Sequence, residues 1–405
     1  MKKSRHVLLA LACLLATVLL TVGCAFTGSQ PSEDAPTTEP VSPMTDTKQP
    51  ETEPATETEP ASQETEETAP SDLLYSPADP GFTSGYRCVT VSDHVYYVAA
   101  DGIYMMFEGQ ETLLYSGNFQ RIPLCTDGKL LYAVDQAGNV LQLDLTDGSV
   151  KELFNVGPTA DVVGASEDVL YIGRQEDEND WWGYDLCVYS LDGVLLEELG
   201  TDLDVSMVDG ILCCTDFRSD VRTVPFRAYD REGRLVVEAD EVWNFSVLNG
   251  AVYYFALEDD TTMEDFMNME DCSTILYRAD RNSWATEIMT FEGMPMATFC
   301  GDVLYMDGRF YSLENGAELT GGIYDKIMAS GDSSSYRLLG KDDSGKWYIS
   351  ESASSSFFRE NGSGEMVDCG KLPENTYFLS ICGDWVYTLS NTEPTQVYAS
   401  YLPVQ

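Results

Sequence analysis

After residue 24 the sequence contains one histidine, His94. A Ser-His-Asp triad, or a zinc or copper site built on several imidazoles, would have to use that residue or do without. His94 directly precedes an apolar strand and reads as an ordinary turn residue. Nine cysteines follow Cys24, at 88, 125, 187, 213, 214, 272, 300, 369 and 382. An odd number cannot all pair within the chain, and none shows Cys-x-x-Cys spacing. Most sit in apolar, strand-like contexts and read as buried reduced thiols acting as small hydrophobes; export would favour disulfides instead.

Two acid-rich segments carry oxygen ligands at a density that suits Ca²⁺. One is Glu176–Asp180, with Asp177 and Asp180. The other runs from Glu258 through Asp259 and Asp260 to Glu264-Asp265. Neither has the Asp-x-Asp-x-Asp-Gly order of an EF-hand loop, so exposed loop acids are the plain alternative. Trp181-Trp182, with Tyr184 close behind, is the candidate contact for a glycan or protein. Indoles stack on sugar faces and anchor interfaces, and they also pack between sheets. No pattern calls for a cofactor. Glycan hydrolysis needs two carboxylates at a set separation, and with 57 acids in residues 71–405 the sequence nominates no pair.

The elements that must position these residues recur along residues 85–405. An apolar or aromatic strand follows a turn at Val95–Val98, Leu130–Ala133, Val169–Ile172, Ile211–Cys214, Val252–Phe255, Val303–Met306 and Trp385–Thr388, with Tyr336–Leu339 a less regular member. A second unit is a strand that runs into a turn, as in Val140–Leu145 before Asp147-Gly148, Leu186–Ser190 before Asp192-Gly193, Phe226–Tyr229 before Glu232-Gly233 and Phe310–Leu313 before Asn315-Gly316. Gly362 marks another. Asp-Gly and Asn-Gly supply the positive φ of a tight hairpin. Alternation such as Leu141/Leu143/Leu145 against Gln142/Asp144 gives each strand one buried face. The steps of roughly 35–50 residues match a four-stranded propeller blade. The expected fold is all-β, a seven- or eight-bladed β-propeller of four-stranded antiparallel blades. No long helical periodicity is present; residues 261–271 suit one short helical turn. Asp72–Tyr75 is the only apolar segment before the repeats, and closure of the ring assigns it to the outer strand of the final blade.

The Ala251–Phe255 and Ile275–Asp280 strands resemble those of bacterial surface lipoproteins whose domain of unknown function has repeats like the low-density-lipoprotein-receptor propeller. The resemblance spans residues 85–405 and implies architecture alone, because the receptor's Tyr-Trp-Thr-Asp motif is absent. Asp144–Gly148 is similar to a single quinoprotein-type repeat. Asp343-Ser344-Gly345-Lys346-Trp347 resembles a sialidase-type Asp-box, but its Trp lies one residue too close to Gly345 and the motif does not recur.

The N-terminus supplies the address. Lys2, Lys3 and Arg5 precede an apolar run, Val7–Val22, that ends in Gly23-Cys24. This layout is a secretory signal and resembles a lipoprotein signal peptide, whose Cys receives diacylglycerol; Thr21 departs from the usual aliphatic. A transmembrane anchor is the alternative, although no basic stop-transfer cluster follows residue 24. Residues 1–23 are then the signal peptide, 24–70 a disordered Thr/Glu/Pro-rich tether and 71–405 the propeller domain. The expected protein is lipid-anchored through Cys24 on the extracytoplasmic face of the cell membrane. Its net charge is −45, of which −38 falls in residues 71–405. Such a surface repels phosphate backbones and excludes nucleic acid as a partner. It suits an extracellular basic protein or neutral glycan, and it also serves solubility. Two functions follow: a non-catalytic binding or scaffolding module, or a carboxylate-dependent glycan hydrolase.

Overall fold

The computed structural model describes residues 81–401 except 120–122, 176–182, 217–223, 259–272, 282, 294–296, 330–335, 342–344, 352–355, 374–375, 383–384 and 391–395. The expected signal segment, tether and Asp72–Tyr75 strand all fall outside these residues. The chain is almost entirely antiparallel β. After a short strand β1 (Thr83–Tyr86) come two meanders. The first is β2 (Cys88–Val91), β3 (His94–Ala99), β4 (Gly102–Phe107) and β5 (Gln110–Ser116); the second is β6 (Pro123–Thr126), β7 (Leu130–Val134), β8 (Asn139–Asp144) and β9 (Val150–Asn155).

A ten-stranded sheet follows: β10 (Ala160–Ala165), β11 (Val169–Arg174), β12 (Tyr184–Ser190), β13 (Leu195–Val208), β14 (Ile211–Asp216), β15 (Val224–Tyr229), β16 (Leu235–Leu248), β17 (Ala251–Leu257), β18 (Ser273–Asp280) and β19 (Ser283–Glu292). Its two 14-residue strands each serve two meanders. The first part of β13 pairs with β12 and its last part, from Leu203, pairs with β14. Asp202, at φ 55°, marks the changeover. β16 does the same between β15 and β17. The last sheets are β20 (Ala297–Cys300), β21 (Val303–Met306) and β22 (Arg309–Ser312); β23 (Tyr336–Lys341), β24 (Trp347–Glu351), β25 (Ser356–Glu360) and β26 (Met366–Lys371); and β27 (Thr376–Cys382), β28 (Trp385–Ser390) and β29 (Val397–Tyr401).

The tyrosine strands occupy the second position of their meanders and form the densest core. Tyr132 and Tyr348 are 1% exposed and Tyr387 is 0% exposed; full burial of a side chain of this size contributes about 2–3 kcal/mol. Successive sheets pack face to face. Val89, Tyr96 and Ile103 of the first meander meet Leu124, Leu131 and Leu141 of the second, and Phe226 and Ala228 meet Val252 and Tyr254. The series closes on itself, because Val95, Tyr97 and Met106 of the first meander pack with Tyr387, Leu389 and Val397 of the last sheet. Antiparallel meanders stacked in a closed cycle are the arrangement of a β-propeller.

Four local features depart from the sequence reading. Tyr336–Leu339 does not belong among the tyrosine strands. It forms β23, and the tyrosine strand of that sheet is β24, with Tyr348 paired between β23 and β25. The Asp-Gly turns also differ from tight hairpins. At 147–148 and 192–193 only the glycine has positive φ, and the last residue of the preceding strand caps a wider turn with its side chain. Asp144 accepts from Thr146 N–H at 2.9 Å and Ser190 Oγ from Val194 N–H at 3.0 Å; Asn361, just after β25, does the same for Ser363 N–H at 3.0 Å. Two-residue hairpins with both residues at positive φ occur instead at Glu108-Gly109, Asp209-Gly210, Asn249-Gly250 and Asp307-Gly308, as a type I′ turn requires.

In the turn between β25 and β26 the positive φ belongs to Gly364, not Gly362. The fourth departure is a helix, α1 (Gly322–Ala329). Its Ile323 and Ile327, one turn apart, are buried against Val303, Phe310 and Trp347, and Trp347 Nε1 donates to Tyr324 Oη at 3.0 Å. The helix covers a three-stranded sheet whose outermost pairing is the single Tyr311–Glu318 bridge. Eight residues give too short a periodic signal to stand out from strand alternation.

Asp230 is the most elaborate of the turn caps. It is 4% exposed and accepts from Glu232 N–H at 3.0 Å, Arg234 N–H at 2.9 Å, and Arg234 Nε and Nη2 at 2.9 and 2.6 Å. Desolvation pushes its carboxyl up, but the Arg234 and backbone donors together outweigh it and hold the carboxyl below the usual range. A depressed folded value stabilises the protein above the unfolded pKa of about 4 and loses that stability as pH falls through the folded value. Asp230→Asn should therefore cost about 2 kcal/mol at pH 7, and the gap from the parent should narrow toward pH 3. Urea midpoints at the two pH values measure this; an equal gap at both would refute the assignment.

Candidate functional site

Because the strands alternate in direction, the connections fall into two sets that emerge on opposite faces. One set follows the first and third strands of each meander and is short, as at 92–93, 166–168 and 209–210. The other follows the second and fourth strands and holds the long connections: 175–183 between β11 and β12, 217–223 between β14 and β15, and 258–272 between β17 and β18. The acids Asp177, Asp180, Asp259 and Asp260 and the Trp181-Trp182 pair all belong to these long connections. They lie outside the described residues, as does Cys24. The points where the chain leaves and re-enters the sheets are described, and they share the long-connection face.

Tyr184 is described, and it is anchored. Its hydroxyl donates to Asp161 Oδ2 at 3.0 Å, and Asp161 is 2% exposed. Its ring lies against Gly173, where any side chain would collide with it. Tyr184 therefore fixes the returning end of the 175–183 connection to the inner strand β10. Gln175 N–H donates to Thr159 O at 3.0 Å and fixes the departing end. Beside them Gly183 packs so closely on Asp202 that an added Cβ would sit 2.8 Å from its carbonyl carbon. Desolvation pushes the Asp204 carboxyl above its ordinary range, opposed by the Val205 N–H. Arg174 caps the same corner, its guanidinium 5.2 Å from the centroid of the Tyr189 ring.

The axis is not open in this sector. β1 pairs antiparallel with the inner edge of β6, from Thr83 opposite Thr126 to Tyr86 opposite Pro123. It is also stitched to β13 and the turn beyond it. Met207 N–H donates to Ser84 Oγ at 2.8 Å, Asp209 N–H to Thr83 Oγ1 at 3.1 Å and Gly210 N–H to Phe82 O at 2.7 Å. Nothing in the sequence marked this strand, since Thr-Ser-Gly-Tyr carries no apolar alternation. β1 begins beside the Asp209-Gly210 turn, on the short-turn face, and runs to the long-connection face before the chain reverses at Arg87, φ 75°.

A cleft of about 320 Å³ lies between the β5–β6 connection and the β7–β8 turn, lined by Asn118, Asp135, Gln136 and Ala137. Asp135 is committed to its own turn, accepting from Ala137 N–H, Asn139 N–H and Asn139 Nδ2 at 2.9, 2.8 and 3.0 Å. Its carboxylate holds the loop. His94 opens β3 and stacks on Phe107 with ring centroids 4.5 Å apart, and its Nδ1 lies 2.6 Å from Asp93. Among the described residues no three His, Cys, Asp or Glu side chains gather as a metal site, and no helix is long and apolar enough to cross a membrane. Cys125, Cys187, Cys213 and Cys214 are buried thiols within the cores. Burial pushes the Cys214 thiol up to about 12, against the lowering pull of Arg227. Such thiols serve as packing groups.

Fold and face together define a β-propeller with its long connections gathered on one side and part of its axis filled by its own chain. No protein-family model matches the sequence, and no curated protein matches it. Among solved structures it is similar to BamB from Moraxella catarrhalis, with 10% identity over 78% of this chain and 98% of that one, TM-score 0.45. It is similar to Sqt1 of Saccharomyces cerevisiae, with 10% identity over 80% and 98%, TM-score 0.44. The β-propeller domain of the trilobed protease from Pyrococcus furiosus gives 12% identity over 80% and 98%, TM-score 0.41. Likenesses at this level name no family.

Proposed function

We propose that the chain is a lipoprotein, acylated on Cys24 and held at the extracytoplasmic face of the cell membrane, that displays a non-catalytic propeller for binding an extracellular protein or glycan. In this reading the propeller has eight blades, with β13 and β16 each shared by two neighbours. The 24–70 segment is its tether. The observation that carries the reading is the gathering of the 175–183 and 258–272 connections on one face, while β1 fills the axis beside β6 and β13. Trp181 and Trp182 are the contact residues, with Tyr184 positioning their connection. Asp177, Asp180, Asp259 and Asp260 add negative charge to the long connections, which favours a basic or neutral partner.

Metabolic labelling with a fatty acid, followed by surface cross-linking on intact cells, tests the proposal. Cys24→Ala should abolish the label and leave unprocessed precursor. Trp181→Ala with Trp182→Ala should lose the cross-linked partner while keeping the label. Normal labelling of the Cys24 variant would overturn the anchoring. Turnover of a polysaccharide by the purified chain, abolished by one carboxylate substitution, would replace binding with hydrolysis.

A further inference from the structure

Deepening the binding reading above, on which it rests, we propose that the outer edge of β13, from Val194 to Glu198, docks a cationic protein segment carrying aliphatic side chains. Five outer strands each expose an aliphatic no later than mid-strand: Leu113 (51%), Val150 (40%), Leu195 (43%), Leu235 (49%) and Val367 (40%). Only at the start of β13 do three stand in a row, with Val194, just before the strand, at 55% and Leu196 at 56%.

The cause is a β-bulge used differently. Val188 pairs with Glu197 and Tyr189 with Leu195, so Leu196 is the extra residue. The same bulge recurs at Leu114 in β5, Val236 in β16 and Ile288 in β19. In those three strands the extra side chain turns inward and packs on a core cluster; in β13 it stands in solvent. A bulge re-aims a side chain, and here the repeat's usual direction is reversed at one position. No strand pairs with the outer side of Leu195–Leu199 among the described residues.

Charge selects the occupant. The aliphatics are bracketed by Asp192 on one side and Glu197 and Glu198 on the other, all exposed, within a chain of net charge −45. A second copy would bring the same carboxylates edge to edge, and an anionic lipid surface would be repelled. A segment alternating lysine or arginine with valine or leucine satisfies both the apolar stripe and its acidic ends.

The probe is a fluorescent alternating lysine–valine peptide, titrated against the full chain and compared with a lysine–serine peptide of equal charge. The valine peptide should bind more tightly, and Leu196→Ser should weaken it about tenfold. That substitution leaves net charge unchanged, so diffuse attraction to an acidic protein predicts no change. Leu113→Ser, on another outer strand, should leave affinity as it was. An unchanged thermal midpoint for Leu196→Ser shows that the fold is intact, as expected for a side chain 56% exposed. Equal binding of the two peptides, or no loss in Leu196→Ser, overturns the proposal. So does a dimer, or binding to phosphatidylcholine vesicles, that Leu196→Ser abolishes, since either reassigns the patch. Peptide affinity does not depend on acylation, so failure here leaves the anchoring and the tryptophan contact standing, and their failure leaves this result unaffected.

Discussion

Replacing Gly109 with valine should destabilise the ring by about 3 kcal/mol, the sum of a backbone strain and a steric wedge. Gly109 closes the β4–β5 hairpin at φ 73°, a conformation that a β-branched residue adopts only under strain. An added side chain would also run into the indole of Trp385. Trp385 begins β28, so this contact lies where the first meander meets the last sheet, beside the core formed by Tyr97, Met106 and Tyr387. Gly148→Val separates the two causes. Gly148 has the same φ of 73°, and nothing lies within 4 Å of its missing side chain. It should show only the backbone part, about 1–2 kcal/mol. Urea midpoints of the two variants measure the difference. If Gly148→Val costs as much as Gly109→Val, the Trp385 contact contributes nothing to closure.

A still larger loss is expected from Phe226→Ala. Phe226 is wholly buried, with its ring centroid 4.7 Å from that of Phe245 and 6.0 Å from that of Tyr254. It therefore sits where β15, β16 and β17 meet, at one of the changeovers within the ten-stranded sheet. Truncation removes the transfer contribution of the ring and leaves a cavity between stiff strands, at a cost of about 4 kcal/mol. The β16 backbone spans both sides of the site, so collapse into the void is restricted. The unfolding midpoint in urea should fall accordingly, and a loss under about 1 kcal/mol would mean that the sheets close over the gap.

The fold was legible where one residue reports its own burial. Tyr132, Tyr254 and Tyr387 each lie in an apolar strand that follows a turn, and each is buried in the core. Legibility failed where geometry depends on a distant partner. β1 is strand only because β6 and β13 present unpaired backbone to it, and its own sequence could equally be loop. Leu196 has the composition of a core residue, and its place as the exposed extra residue of the β13 bulge carries no sequence signal. The candidate site divides in the same way. Trp181, Trp182 and the neighbouring acids stood out by type, while the face they share follows from strand direction. Tyr184 read as a member of the aromatic contact set, yet its bond to the buried Asp161 makes it a support. An inward-facing aspartate in a run such as Ala-Asp-Val-Val carries no sequence signal for that partnership.

The filled axis also sets how the molecule bears load. A pull on Gly81 runs along β1, at right angles to its hydrogen bonds with β6, so the four residue pairs and the stitches to Met207, Asp209 and Gly210 are strained together in shear. A chain leaving from a rim strand would instead unzip one bond at a time. The protein is thus gripped at its hub, and force arriving at Gly81 is spread over three neighbouring sectors of the wheel before any outer strand is disturbed.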